Sequence, residues 1–86
     1  MKKKSHQHIT SLGKWQSIQS SNLSRIRQVA GQKLQIEFKS GVTYEYDEVP
    51  DEEYEGLIQA ESHGKYFDNH IRSVYNYRRL NKRRTR

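Results

Sequence analysis

The sequence contains no cysteine, which excludes both a disulfide framework and a thiolate zinc site. It has a single proline, and hydrophobic residues make up only 31% of its 86 residues. A chain of this length forms one domain at most, and this composition leaves little material for a core. No apolar run reaches the length of a signal sequence or a membrane span, so we expect a cytoplasmic protein without membrane contact.

Basic residues outnumber acidic ones and lie mainly at the two ends. The formal net charge is +6, yet neither residues 1–14 nor residues 78–86 contain an acid. The cations of these ends are Lys2, Lys3, Lys4, Lys14, Arg78, Arg79, Lys82, Arg83, Arg84 and Arg86. The six remaining cations meet all ten acids between the ends, so that part carries a net charge of −4. A polyanion would therefore be bound by the ends, unless these charges only keep flexible tails soluble.

The clearest local pattern predicts a β-hairpin. Apolar and polar residues alternate in LQIEF at residues 34–38 and, after KSG, in VTYEY at residues 42–46. A three-residue loop with Gly41 in a left-handed conformation pairs residue 36 with Tyr44 and residue 34 with Tyr46. A two-residue loop would instead put both tyrosines on the opposite face. Because the first register unites the apolar residues, we predict that the tyrosines are core rather than a platform for stacked bases.

The other face of this hairpin is predicted to be polar. It collects three acids with one amide and one hydroxyl, namely Gln35, Glu37, Thr43, Glu45 and Asp47. We expect a negative, water-facing surface that repels phosphate. The segment SRIRQV at residues 24–29 predicts a further strand, and an arm that buries Trp15 or Ile18 would supply a fourth.

Two amphipathic helices are predicted after the hairpin. Pro50 suits a first helical position, and three acids follow it in the first turn, where the helix dipole favours anions. The apolar stripe of this helix is Tyr54, Leu57 and Ile58.

The second helix is predicted to begin after an N-cap at Ser62 and to end near Tyr77. Its apolar stripe is Phe67, Ile71, Val74 and Tyr75. Both stripes need a sheet face to cover, so the predicted fold is α+β: a small antiparallel meander of three or four strands with two helices packed on one face.

The candidate catalytic and metal-binding residues are few. His6 and His8 lie near the N-terminus without a third fixed ligand, and His63 and His70 share a helix face without a carboxylate pair or a cysteine. Ser62 precedes His63, but adjacent side chains at a helix start do not face each other. We therefore expect no enzyme, no metal site and no cofactor.

Several segments together resemble the KTSC domain, a family found at the C-terminus of some lysyl-tRNA synthetases and as small separate proteins of bacteria and phages. The resemblance extends over about residues 18 to 80. It is carried by SSN at residues 20–22, Phe38 with Ser40-Gly41, YEY at 44–46 in the position of the family's YxY, Val49-Pro50, Tyr54 with Leu57, AESHGKYF at 60–67, Ile71-Arg72 and YNYR at 75–78. The short turn at residues 30–33 and the basic ends depart from the family pattern. For function, the resemblance implies no more than a suggested RNA binding.

We divide the chain into a flexible basic N-terminal arm at residues 1–14, a KTSC-like domain at residues 15–80 and a basic C-terminal tail at residues 81–86. We predict a non-enzymatic accessory domain that binds nucleic acid, RNA in preference, with low sequence specificity. The predicted phosphate contacts are Lys2, Lys3, Lys4, Arg72, Arg78, Arg79, Lys82, Arg83, Arg84 and Arg86.

Two roles are predicted for Arg72. It lies off the apolar stripe, and its side chain can form an ion pair or stack on a tyrosine such as Tyr75 or Tyr44. Alternatively it contacts a phosphate beside Arg78 and Arg79, two turns further along the predicted helix.

The alternative function for the whole chain is a protein-interaction module, such as a phage-encoded modulator of a host protein, which would bind through the polar sheet face or the second helix. The sequence names neither the partner nor the oligomeric state.

Overall fold

The fold is a single antiparallel sheet with helices on one face. The structure is a computed structural model and describes residues 12–81. Its five strands pair in chain order, each with the next, and are β1 (Gln16–Ser17), β2 (Leu23–Val29), β3 (Lys33–Phe38), β4 (Thr43–Tyr46) and β5 (Tyr77–Arg79). The α+β meander is confirmed, with β1 next to Ile18 as the added arm and β5 as a strand that the sequence analysis did not include.

Two helical segments connect β4 to β5. Helix α1 is Asp51–Gln59, and Pro50 precedes it in an extended conformation as the N-cap instead of forming its first turn. Helix α2 is His63–Tyr66 and continues as a π-helical turn at Phe67–Ile71. The Ser62 hydroxyl accepts a hydrogen bond from the backbone N–H of Lys65 at 3.2 Å, which confirms the predicted cap. Within residues 12–81 no helix is long and apolar enough to cross a membrane.

The β3–β4 hairpin has the predicted three-residue loop. Ile36 pairs with Tyr44 and Leu34 pairs with Tyr46. The Gly41 backbone N–H donates to the Phe38 carbonyl at 2.8 Å, and Gly41 has a φ of 100°, a conformation that glycine adopts without strain. Tyr46 is 2% exposed and Tyr44 is partly buried against the core, so the tyrosines are core residues as predicted.

The core lies between the sheet and the helices. It combines apolar residues from β2, β3 and β4 with Tyr54 and Leu57 of α1 and with Phe67 and Ile71 of the π-helical turn. The Gln28 side chain of β2 also faces the helices, and its amide donates to an Asp51 carboxylate oxygen at 2.6 Å. This bond fixes the start of α1 on the sheet, since both partners lie at the edge of the core.

The prediction that the second helix runs to Tyr77 is wrong. Helical structure ends at Ile71, where the Arg72 N–H donates to the Phe67 carbonyl five residues back, and Val74 is 62% exposed. Tyr77–Arg79 instead pair with β4, which satisfies the backbone groups of a strand that would otherwise be an open edge. Arg78 and Arg79 therefore lie on a strand and not two turns along a helix from Arg72.

The prediction of a negative sheet face is also wrong, because neighbouring strands supply cations opposite each acid. Arg25 pairs with Glu37 at 2.6 Å, Lys33 with Asp47 at 3.0 Å, and Arg78 with Glu45 at 3.0 Å. Trp15, half-buried on this face, lies between the guanidinium groups of Arg25 and Arg27, 4.3 and 4.4 Å from the ring centroid.

One row of this face forms a continuous chain across four strands, which we call the polar ladder: Arg27, Gln35, Glu45 and Arg78. Arg27 donates to the Gln35 side-chain oxygen at 2.7 Å, and the Gln35 amide donates to Glu45 at 2.8 Å. Arg78 completes the row at the other Glu45 oxygen. Glu45 is 4% exposed, so its charge is stabilised by these two donors rather than by water.

Candidate nucleic-acid interface

Five aromatic rings meet between the strands β3, β4 and β5 and the π-helical turn. This aromatic cluster consists of Phe38, Tyr44, Tyr46, Phe67 and Tyr77. Tyr44 and Tyr46 share a face because they are two residues apart on β4, and Tyr77 joins them because it pairs with Tyr46 across the sheet. The ring centroids of Tyr77 lie 5.0 Å from Tyr44 and 5.4 Å from Tyr46. Tyr77 is 56% exposed, so the cluster is open to water on this side.

The π-helical turn positions Arg72 beside the aromatic cluster. Such turns insert one extra residue into a helix and are frequent at functional sites. Phe67 and Ile71 remain in the core while Arg72 follows them at the surface. The Arg72 guanidinium forms an ion pair with Asp68 at 3.0 Å, and both side chains are largely exposed. Of the two roles predicted for Arg72, the structure thus shows the ion pair. An exposed pair of this kind stabilises the fold by only about 0.3–0.5 kcal/mol, so Arg72 stays available to another anion.

A groove of about 500 Å³ lies between the hairpin and the π-helical turn, and we call it the Arg72 groove. Its walls are formed by the aromatic cluster together with Ser40, Val42, Arg72 and Ser73. A second hollow shares Phe38, Ser40, Phe67 and Arg72 with it and extends toward Asn22 and Lys39. The two hollows adjoin each other at these shared residues and have aromatic walls and the cationic side chains of Arg72 and Lys39.

Tyr46 is buried among its neighbours and also lines the Arg72 groove. No residue within the described part of the chain forms a hydrogen bond with its hydroxyl. Burial, together with the neighbouring Tyr77 and Tyr44, raises the pKa of Tyr46 to about 12, while Arg72 acts to lower it. The Tyr46 hydroxyl therefore remains protonated at neutral pH and can donate a hydrogen bond to an anion.

The two arginines of β5 lie on opposite faces of the sheet. Arg79 pairs with Tyr44 and therefore belongs to the groove face, and its guanidinium donates to the Asn81 carbonyl at 3.1 Å. Arg78 pairs with Glu45 and belongs to the polar ladder. Of the three described residues that the sequence predicts as phosphate contacts, the structure therefore brings Arg72 and Arg79 to one face and directs Arg78 to the other.

Asn81 fixes the end of the described chain to the hairpin loop. Its side-chain amide donates to the Gly41 carbonyl at 2.7 Å, and its side-chain oxygen accepts from the Thr43 N–H at 3.0 Å. The loop residues Ser40 and Val42, on either side of Gly41, line the Arg72 groove, and Lys82, Arg83, Arg84 and Arg86 follow Asn81 in the sequence. Those four residues lie outside the described residues.

The described part of the chain begins at the other end of the sheet. The Gly13 N–H donates to the Gln28 carbonyl at 2.7 Å, next to the β2–β3 turn and one strand length, about 20 Å, from the hairpin loop. Lys2, Lys3 and Lys4 lie outside the described residues, as do His6 and His8. Gly13 and Asn81 therefore lie near opposite ends of the sheet.

The remaining candidates have structural roles. The Nδ1 atom of His63 lies 2.8 Å from the Leu57 carbonyl oxygen, and His70 stacks on Tyr66 with ring centroids 4.1 Å apart. Residues 12–81 contain no group of three or more His, Asp or Glu side chains that could hold a metal ion. Tyr77 and Asn81 are the residues that sequence reasoning missed, because the helical phase assigned Tyr77 to a helix end and no pattern marks Asn81.

The comparisons with known proteins agree with this fold. The KTSC domain family matches residues 19–75 of the chain. An uncharacterized protein of Stutzerimonas stutzeri (strain A1501) is 38% identical over 53 residues, which are 60% of this chain and 75% of that protein. The crystal structure of a KTSC domain protein from Yersinia pestis has a TM-score of 0.74 and 28% sequence identity, covering 79% of this chain and 97% of the other. With more than half of its length matched by the family, the chain belongs to the KTSC domain family.

Proposed function

We propose that this chain is a non-enzymatic domain that binds nucleic acid, RNA in preference, through phosphate contacts at its C-terminal end. The observation that carries the proposal is the anchoring of Asn81 at the hairpin loop, since Arg79 donates to its carbonyl oxygen and four cations follow it in the sequence. Clustered arginine and lysine bind phosphate strongly and without reading sequence, because the phosphate oxygens are alike along the strand.

The ion pairs of the domain also favour phosphate binding at its C-terminal end. On the face of the polar ladder, Arg25, Lys33 and Arg78 are paired with Glu37, Asp47 and Glu45. Arg79, in contrast, donates only to a carbonyl oxygen among the described residues, and Arg72 has one exposed ion pair. A guanidinium group carries five N–H donors, so both retain donors for a phosphate.

A second function remains open on the opposite face of the sheet. The polar ladder and the Trp15 ring between two arginines present an ordered set of donors and one aromatic ring without an excess of negative charge. Tryptophan and arginine are enriched in protein interfaces. This face supports a protein-interaction module, for instance one that acts on a host protein.

A pull-down from lysate with the full chain, divided into samples with and without nuclease, separates the two functions. The proposal predicts that nucleic acid is recovered and that co-purified proteins disappear after nuclease treatment. The matched control replaces Lys82, Arg83, Arg84 and Arg86 by glutamine and should recover neither. Proteins that stay bound after nuclease treatment, with no nucleic acid in the untreated sample, would contradict the proposal and favour the protein-interaction function.

A further inference from the structure

The Arg72 groove has the features of a binding site that the basic residues alone do not explain. Its volume of about 500 Å³ is within the range of roughly 300–1,000 Å³ that small-ligand sites occupy. Electrostatic binding by a cationic tail needs no such depression, because phosphates are reached at any flat surface. A concave site with aromatic walls therefore requires a separate explanation.

We infer that the Arg72 groove binds one unstacked nucleotide of a single strand, with the base on the Tyr77 ring and a phosphate at Arg72 and the Tyr46 hydroxyl. This inference rests on the proposed function and assigns to it a site and a preference for single strands. Bases within a duplex are stacked on one another, so only a single strand can present a base to the groove.

Tyr77 supplies the stacking surface. One side of its ring packs against Tyr44 and Tyr46, and the residue is more than half exposed. The neighbouring rings thus hold Tyr77 in place, so a base gains stacking area without ordering a mobile side chain. Stacking accepts any base, which agrees with low sequence specificity.

Tyr46 adds a hydroxyl group to the residues of the groove. Its side chain lines the groove, and no described residue forms a hydrogen bond with its hydroxyl. Arg72 lines the same groove, so a phosphate bound there would have both groups as donors. The pKa of about 12 keeps the hydroxyl a donor at neutral pH.

The charges around the groove favour an anionic ligand. Lys39 and Arg72 line the Arg72 groove and the hollow that adjoins it, and four cations follow Asn81 in the sequence. The one acid among these lining residues is Asp68, which already binds Arg72. A phosphate at Arg72 competes with the Asp68 carboxylate. Removal of this carboxylate should therefore raise the affinity of the groove for phosphate.

The test measures fluorescence anisotropy of labelled oligouridine and of an RNA duplex of the same length, at matched salt and with the full chain. We expect the single strand to bind about tenfold more tightly than the duplex. Tyr77→Leu should lower single-strand affinity about tenfold and remove this preference, because one base loses its stacking partner. Tyr77→Phe, which keeps the ring, should retain it.

Tyr46→Phe separates binding from folding. It removes one hydroxyl that no described residue uses, so the melting temperature should stay the same or rise while single-strand affinity falls about three- to tenfold. The matched control is Tyr66→Phe, whose hydroxyl donates to Glu53 at 2.8 Å on the far side of α2. It should lower the melting temperature and leave affinity within about twofold.

Asp68→Asn should raise single-strand affinity about two- to fivefold, because it removes an exposed ion pair that competes with phosphate. Equal affinity for single strand and duplex, or unchanged affinity in folded Tyr46→Phe and Tyr77→Leu, would overturn the inference and leave the proposed function standing. Absence of binding to either RNA by the folded full chain would overturn both.

Discussion

Gly56 shows how tightly one residue is constrained where α1 meets α2. A methyl group at this position would contact the hydroxyl and ring of Tyr66, which is itself bonded to Glu53 and stacked on His70. Alanine stabilises a helix interior by about 1 kcal/mol over glycine, whereas overpacking costs about 1–3 kcal/mol. We therefore expect Gly56→Ala to lower the free energy of unfolding by about 1 kcal/mol in chemical denaturation. In a Tyr66→Leu background the same change should stabilise the domain, and a stabilising effect in both backgrounds would contradict the account.

Tyr46, a single residue, makes the free energy of unfolding depend on pH. Its pKa is raised to about 12 in the folded chain, from an ordinary value near 10 in the unfolded chain. Below pH 10 both states hold the proton, so the contribution to stability is fully present. Between pH 10 and 12 only the unfolded chain ionises, and stability falls by up to about 1.4 kcal/mol per pH unit from this group. Denaturant unfolding across this range should show a shallower fall for Tyr46→Phe than for the parent chain, and identical falls would contradict a raised pKa of Tyr46 in the folded chain.

At the scale of elements, the polar ladder ties β5 to the sheet. Glu45 is buried and Arg78 is one of its two donors, so Arg78→Ala should lower the free energy of unfolding by about 1–2 kcal/mol. Glu45→Gln added to this variant should recover part of the loss, because no unpaired charge then remains in the sheet. The recovery is read from a double-mutant cycle in chemical denaturation. A variant pair whose effects simply add would show that the two residues are not coupled.

The elements also show where sequence reasoning succeeds. The hairpin could be predicted because strict alternation and Gly41 allow only one register that unites the apolar residues, and α1 could be predicted from three stripe positions. The end of the second helix could not be predicted. Val74 has the spacing of the apolar stripe in a regular α-helix, but the π-helical turn that ends at Ile71 interrupts this spacing and leaves Val74 exposed. Strand β5 is three residues long, too short for alternation to indicate it.

The candidate site was predictable only in part for the same reason. Arg72 and Arg79 could be selected by charge, but their meeting on one face depends on β5, which pairing with β4 creates. The negative face was predicted from the acids of the hairpin alone, and its neutralisation comes from Arg25 of β2, Lys33 at the start of β3 and Arg78 of β5. Contacts across neighbouring strands decide both outcomes, and the contact between β4 and β5 joins segments that are distant in sequence.

At the scale of the whole molecule, two basic ends leave the sheet from opposite sides of its length. Gly13 is held near the β2–β3 turn and Asn81 at the β3–β4 loop. Of these two residues, Asn81 is bonded to the loop whose residues Ser40 and Val42 line the Arg72 groove, so the account assigns binding to the C-terminal end. A chain that stops at Tyr77 would lose part of β5, and a chain that stops at Asn81 keeps every strand and both anchoring bonds.

The most direct test is the salt dependence of affinity for labelled single-stranded RNA, measured by anisotropy for the full chain and for a chain ending at Asn81. Each neutralised phosphate of a single strand contributes about −0.7 to the slope of log affinity against log salt, so removal of four cations should flatten the slope by up to about 3. A third chain, with Lys2, Lys3 and Lys4 replaced by glutamine, should keep most of the slope. Equal slopes for the full and shortened chains, both folded, or no binding at low salt, would contradict the assignment of nucleic-acid binding to the C-terminal end.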